Sequence, residues 1–279
     1  MAGKTLIIGC GYIGLPLALE LKARGHEITA WVHSAETAAS LAPHGFARVI
    51  TGNVGDPKIW DEVNLACGLV IHCASSGRGG EAAYEQVFVQ GAKRIGEQLP
   101  DARKIFVSST SVYGQVDGEV VTEQSLAEPL TATGKLLREA EVIALNANAT
   151  VVRSSGIYGP GRGVLFDKLK RGEAVIEGDG SRWMNQIHQR DLVSALAHLI
   201  GSGSPGQIYN ASDDTPVTQR DYYAWCAEFL GKPLPPFGPV NTQRKRGLTN
   251  KRVSNAKLRA TGWAPIYPSF REGIAAILS

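Results

Sequence analysis

The sequence predicts an α/β fold: a doubly wound parallel sheet with a smaller mixed α/β lobe toward the C-terminus. Three observations predict it. Short apolar runs alternate with helical patterns as far as Arg153, and the first run opens into Gly9-Cys10-Gly11-Tyr12-Ile13-Gly14. The alternation breaks down after Tyr158-Gly159-Pro160-Gly161. Strands alternating with helices at this spacing form a parallel sheet covered on both faces.

The elements follow in order. Leu6-Ile7-Ile8 reads as a buried strand, the glycine turn follows, and Leu15 to Arg24 is helical up to a stop at Gly25. Glu27 to Val32 is the next strand. Strand, glycine turn, helix and strand make a Rossmann-type dinucleotide-binding unit. Gly9 turns the chain off the strand, Gly11 leaves room for a pyrophosphate, and Gly14 lets the helix approach the sheet. The helix N-terminus offers N–H groups and a positive dipole end to phosphates. Glu36–Leu41, Pro57–Asn64, Tyr84–Leu99 and Thr133–Asn146 read as helices. Ala47–Ile50, Gly68–Cys73, Lys104–Val107 and Thr150–Arg153 read as strands. Ligands bind at the carboxyl ends of such strands, which places the glycine turn, Asn53, Cys73-Ala74-Ser75 and Ser108–Ser111 around one site. Beyond Gly161 the chain reads as a helix at Phe166–Arg171, a strand at Ala174–Ile176, a helix at Asp191–Ile200, a strand at Gln207–Asn210 and a helix from Thr218 to Leu230. A Rossmann domain is therefore expected over residues 1–160, with 187–212 returning to it, and a substrate-binding lobe over 161–279.

Composition narrows the function classes. The 279 residues are 43% hydrophobic and 20% charged, and 29 Lys and Arg against 26 Asp and Glu leave a net charge of +3. That charge is too small to argue for nucleic acid or an anionic membrane. No apolar run approaches the roughly 20 residues that span a bilayer. The four cysteines show neither CxxC nor zinc spacing, so no metal is expected. The first strand begins without a leader-like segment, and a cytoplasmic protein with a small-molecule substrate is the expectation.

Several motifs stand together in order: Gly9-x-Gly11-x-x-Gly14, Val107-Ser108-Ser109-Thr110-Ser111-Val112-Tyr113-Gly114, Arg153 with Ile157–Gly161, and Asn185–Asp191. Asn250–Asn255, Gly262-Trp263 and Tyr267–Gly273 complete the series. Over nearly its whole length the chain resembles the extended short-chain dehydrogenase/reductases of the NAD(P)-dependent epimerase/dehydratase type. The resemblance implies hydride transfer at a carbinol or carbonyl carbon of a sugar or sugar nucleotide, and a homodimer through the helices at Tyr84–Leu99 and Thr133–Asn146. It also implies a catalytic Ser/Thr, Tyr and Lys. Ser109 matches the first and Lys135 the last, but the Tyr position falls on Thr131, whose hydroxyl cannot do a tyrosine's acid/base work. Tyr113 and Tyr158 lie near the expected site as alternative acid/bases, although the resemblance gives their counterparts mainly a pocket-shaping role. Thr110 and Ser111 stand where the family's dehydratases carry two acids, which favours epimerisation or reduction over dehydration.

Cofactor residues expected from the same comparison are Gly9, Gly11, Tyr12, Ile13 and Gly14 in the turn, Asn53 and Val54 at the adenine, Cys73, Ala74 and Ser75 in the next loop, and Lys135 at the ribose. The second strand ends in Val32-His33-Ser34 with no acid to bind a ribose 2′-OH, so His33 and Ser34 favour NADP over NAD. Ser109, Thr110, Tyr158, Arg162 and Arg182 are the expected substrate contacts, with Arg244-Lys245-Arg246 a further candidate for an anionic group. His188 reads as structural. The competing expectation is a dinucleotide-binding sensor or partner-binding protein without turnover, which the missing tyrosine favours.

Overall fold

A computed structural model describes residues 3–63, 65–77, 79–241 and 249–278. The chain begins β1 (Lys4–Ile8), α1 (Gly14–Ala23), β2 (Glu27–Val32), α2 (Ala35–Leu41), β3 (Arg48–Thr51), α3 (Pro57–Glu62) and β4 (Leu69–His72). It continues α4 (Glu81–Tyr84), a π-helical stretch Glu85–Gln90, α5 (Gly91–Gln98), β5 (Arg103–Ser109), β6 (Val120–Val121), α6 (Ala132–Asn146) and β7 (Thr150–Ser154). Then come β8 (Gly156–Tyr158), α7 (Val164–Lys170), β9 (Ile176–Glu177), β10 (Trp183–Met184), β11 (Gln186–His188), α8 (Gln189–Ser202) and β12 (Ile208–Ala211). The last elements are β13 (Val217–Thr218), α9 (Gln219–Phe229), β14 (Phe237–Gly238), β15 (Arg252–Val253), α10 (Ala256–Arg259) and α11 (Phe270–Leu278).

Seven strands make the main sheet in the order β12-β7-β5-β4-β1-β2-β3. Strand β1 pairs in parallel with β2 on one side and β4 on the other, so the order reverses at β1. That is the position where doubly wound sheets bind ligands. Leu69 to His72 are buried without alternation, as strands covered on both faces must be. On one face Leu6, Ile8, Ile50 and Val70 pack with Trp31 and Trp60, whose rings lie 4.7 Å apart.

The chain divides into two compact units. Unit 1 holds Met1–Val112, Glu128–Arg153 and Val193–Tyr209; unit 2 holds Tyr113–Ala127, Ser154–Leu192 and Asn210–Ser279. These boundaries differ from the expected 1–160 and 187–212. Residues 113–127 belong with unit 2 because β6 pairs with β15 and the Gly118 N–H donates to the Asn250 carbonyl. Only 193–209 of the returning segment lie in unit 1. Unit 2 has its own core of Tyr158, Phe166, Ile176, Met184, Tyr222 and Phe270.

Two helices depart instructively from the sequence pattern. The expected helix Tyr84–Leu99 starts at Glu81 and contains the π-helical stretch, where a His72 ring nitrogen bonds the Val87 carbonyl at 2.9 Å. A side chain inserted into the helical ladder is a recognised cause of such a bulge. The α6 helix starts at Ala132 because Thr131 caps it, its hydroxyl accepting the Gly134 N–H at 3.1 Å.

Candidate cofactor and active site

The glycine turn in unit 1 shows three glycines with three different reasons. Gly9 has φ +88°, and a Cβ there would overlap the Ala74 backbone. A Cβ on Gly14 would overlap the Gly9 carbonyl and lie 3.0 Å from Cys73 Sγ. Both are therefore required by the protein's own packing. Gly11 is not: a Cβ there would meet nothing within 4 Å. The open space it faces is where a pyrophosphate fits. Helix α1 follows with Ile13 at its N-cap, no side-chain cap and no acid in its first turn, which leaves the positive helix end to a ligand. The residues present thus fit a dinucleotide. Burial pushes the Cys10 thiol up to about 12 and raises Cys73 as well, so neither is a reactive thiolate.

At the end of β2, Val32 is buried and His33 exposed. Ser34 caps α2, its hydroxyl accepting the Thr37 N–H at 3.2 Å. Asn53 Oδ1 accepts from the Gly55 N–H at 3.0 Å, so its side chain is folded onto its own loop with one oxygen lone pair left over. The Val54 carbonyl accepts from Trp60 Nε1 at 2.7 Å. Ala74 is partly exposed and Ser75 exposed, on the loop that begins with Cys73 beside Gly9.

Ser109 ends β5, half-buried, and its hydroxyl accepts the Ser111 N–H at 3.1 Å. Thr110 is buried beside it. Lys135 is exposed in the first turn of α6. Beneath them lies a cluster that sequence reasoning missed. Glu141, fully buried on α6, accepts from Ser108 Oγ at 2.6 Å and from Arg153 Nε and Nη2 at 2.9 and 2.7 Å. It ties the Ser109 strand, the Lys135 helix and β7 together. The only signal was positional: Leu137, Ala140, Glu141 and Ala144 share one face of α6.

Unit 2 holds the two tyrosines. Tyr113 is wholly buried, and its hydroxyl donates toward the Thr122 carbonyl and Asn210 Oδ1, both at 2.9 Å. Tyr158 is buried against Gly273 and the His188 ring, and burial raises its phenol well above the ordinary value. Arg162 is exposed in the tight turn with Gly159. Arg182 differs: its Nε is buried with no hydrogen-bond partner among the described residues, and burial lowers its basicity against a smaller opposing effect of Tyr223. A buried guanidinium nitrogen without an acceptor among the described residues suits an anion. The cluster Arg244-Lys245-Arg246 lies outside the described residues. His188 is buried, and its Nδ1 accepts the Arg190 N–H at 3.2 Å. Sequence reasoning also missed Lys251, whose Nζ donates to the Tyr113 carbonyl at 3.1 Å and to Thr249 Oγ1 at 2.6 Å. Burial pulls Lys251 down to about 8. Among the described residues no group of three His, Cys, Asp or Glu side chains could hold a metal ion, and no helix is long and apolar enough to cross a membrane.

The family model for "NAD dependent epimerase/dehydratase family" matches residues 5–212. The chain belongs to this family. Escherichia coli K12 protein YeeZ is 31% identical over 264 residues, covering 90% of this chain and 93% of YeeZ. A Streptomyces 3-diazoavenalumate denitrifying reductase is 24% identical, covering 97% of this chain and 99% of that enzyme. Among solved structures, MoeE5 in complex with UDP-glucuronic acid and NAD is 26% identical, with TM-score 0.80 and coverage of 98% and 97%. A Methylobacillus flagellatus structure named for the same family is 30% identical, with TM-score 0.81 and coverage of 100% and 98%. The epimerase/dehydratase family comprises NAD-dependent enzymes, and its Rossmann-type sheet is the one found here.

Proposed function

We propose that the chain is an NAD(P)-dependent reductase or epimerase of a sugar or sugar nucleotide, with NADP its preferred coenzyme. The observation that carries the cofactor assignment is Gly11, a glycine required neither by a positive φ nor by any neighbour within 4 Å. The substrate class is supported by MoeE5, whose structure holds a UDP-sugar acid with NAD. A bound nicotinamide supplies or accepts the hydride. The chain's own residues do the rest: Ser109 hydrogen-bonds the reacting oxygen, Lys135 holds the ribose, and Arg182 takes an anionic group of the substrate. Thr131 accepts its cap bond and keeps its hydroxyl proton to donate, so it orients an oxygen but cannot move a proton at neutral pH. The NADP preference is supported by the buried apolar Val32 and the exposed His33 beside it, where an acid would repel a 2′-phosphate.

Turnover of UDP- and dTDP-linked sugars with NADPH and NADH tests this reading. Activity that falls at least tenfold in Ser109→Ala and Lys135→Met is expected, and activity indifferent to both would overturn the site. NADPH is expected to bind more tightly than NADH, with the order reversed in His33→Asp; tighter NADH binding by the natural chain would overturn the NADP preference. Coenzyme binding with no turnover across the panel would favour the sensor reading, which the Tyr113 and Tyr158 hydroxyls, both donating to groups of the protein, support.

A further inference from the structure

The π-helical stretch Glu85–Gln90 has a cause on one side and a load on the other, both inside unit 1. The cause is His72, the last residue of β4. Its Nε2 lies 2.9 Å from the Val87 carbonyl, while its Nδ1 is buried with no partner among the described residues. A carbonyl can only accept, so Nε2 carries the proton and donates. The ring stacks on Phe106 at 4.9 Å and packs on Phe88. Gly91 lets it in: a Cβ there would stand 3.2 Å from His72 Nε2 and 3.1 Å from Val54 Cγ1.

The load is the loop Asn53–Gly55. A Cβ on Gly55 would lie 2.5 Å from the Gln86 carbonyl, 2.8 Å from Gln86 Oε1 and 3.0 Å from Gln90 Cβ. The loop therefore rests directly on the π turn, with Trp60 holding the Val54 carbonyl from the other side. Returning residues 85–90 to α-helical pairing would remove one residue's offset from the ladder. Gln86 and Gln90 would then rotate relative to Gly55 by an amount of order 100°. The surface under the loop would not survive that change.

We propose that His72 is a positioning residue for the cofactor: by holding the Val87 carbonyl it keeps residues 85–90 in the π turn that supports the Asn53–Gly55 loop at the adenine end. The inference rests on the reading that Asn53 and Val54 meet the adenine. Burial also holds the His72 imidazole down to about 4, so the support is neutral across the physiological range. Such turns recur at functional sites because they re-aim side chains at small cost.

Binding of ADP-ribose, NADPH and NADH to the full chain tests it, by titration calorimetry. In His72→Phe, which keeps a ring but loses the donor, affinity should fall about tenfold, the equivalent of about one lost hydrogen bond. The loss should be equal for ADP-ribose and the better coenzyme, because only the adenine half is affected. His72→Gln, with an amide donor, should recover part of it. Gly55→Ala, which disturbs the same contact from the loop side, should reproduce the loss and stands in if His72→Phe does not fold. ADP-ribose binding unchanged in a folded His72→Phe, or in Gly55→Ala, overturns the proposal while leaving the cofactor reading intact. A natural chain that binds none of the three nucleotides overturns both.

Discussion

Two clusters, one in each unit, bury polar groups in opposite ways. In unit 1 the buried carboxylate of Glu141 meets Arg153 in a two-point pair and accepts a third bond from Ser108. In unit 2 the carboxyl of Asp213 is equally buried, yet among the described residues it accepts only the Thr215 N–H, and burial lifts it to about 8. Nearby His188 is buried with an unpartnered Nε2 and is pushed down to about 4. The first arrangement keeps its charges by pairing them. The second avoids charge altogether, holding a protonated acid and a neutral imidazole. A charge kept by pairing is expensive to break, whereas a group that has already given up its charge responds to pH.

The contrast is broken most forcefully at Arg153. Replacing it by Leu leaves Glu141 buried without its main partner, and a loss of about 3–5 kcal/mol is expected from urea unfolding. Asp213→Asn, at a similar depth, should cost under about 1 kcal/mol at pH 6, because the carboxyl there is already neutral. Equal losses at the two positions would remove the distinction.

The next largest effect is on pH dependence. The folded Asp213 titrates near 8 against an ordinary 3.8, so between those values the folded state holds a proton that the unfolded chain has released. Its contribution is complete below the ordinary value and is lost as pH rises through 8. His188 and His72 run the other way: both are lowered from 6.5 to about 4, and stability is lost as pH falls through that window. Asp191, raised to about 6, opposes them below pH 6. From pH 6.5 to 8 Asp213 acts without those opponents, and stability should fall by roughly 1–2 kcal/mol. Above 8 the buried Lys251, lowered to about 8 from 10.5, loses its charge in the folded state first and opposes further loss. From about pH 9, however, the buried thiols of Cys10 and Cys226, raised from 9.0 to about 12, hold protons that the unfolded chain releases, and stability falls again. A melting-temperature series should fall from pH 6.5 to 8, and Asp213→Asn should flatten that fall.

Much of unit 1 was legible because its signals are local. Gly9, Gly11 and Gly14 sit within six residues of a strand and a helix that the apolar pattern marks out. The Glu141–Arg153 pair was not, because its partners stand on α6 and β7 and only packing brings them together. The π turn escaped for the same reason: residues 84–99 have unbroken helical periodicity, and the atom that breaks the ladder belongs to His72 on β4. Ser34 and Thr131 were read for their hydroxyl chemistry, but each opens a helix, where a side-chain oxygen satisfies a backbone N–H. In unit 2 the two tyrosines lay where the motif put them. Their burial depended on Asn210 and Gly273, far along the chain.

The smallest effect falls between the two kinds of cluster, on a polar group that is neither deeply buried nor charged. Thr131 is half-buried, and its hydroxyl serves the Gly134 N–H. Thr131→Ala should destabilise by about 1 kcal/mol through loss of the cap, and Thr131→Ser should recover it. Neither change should alter the fall between pH 6.5 and 8, since no titrating group is removed. If the chain turns over substrate, Thr131→Ser should also keep kcat within about twofold, because a serine hydroxyl donates to an oxygen as threonine does. Thr131→Val, close in shape but unable to accept or donate, separates the two roles: a stability loss with kcat intact assigns the residue to the helix alone, whereas a kcat loss well beyond that expected from unfolding assigns the hydroxyl to the reacting oxygen.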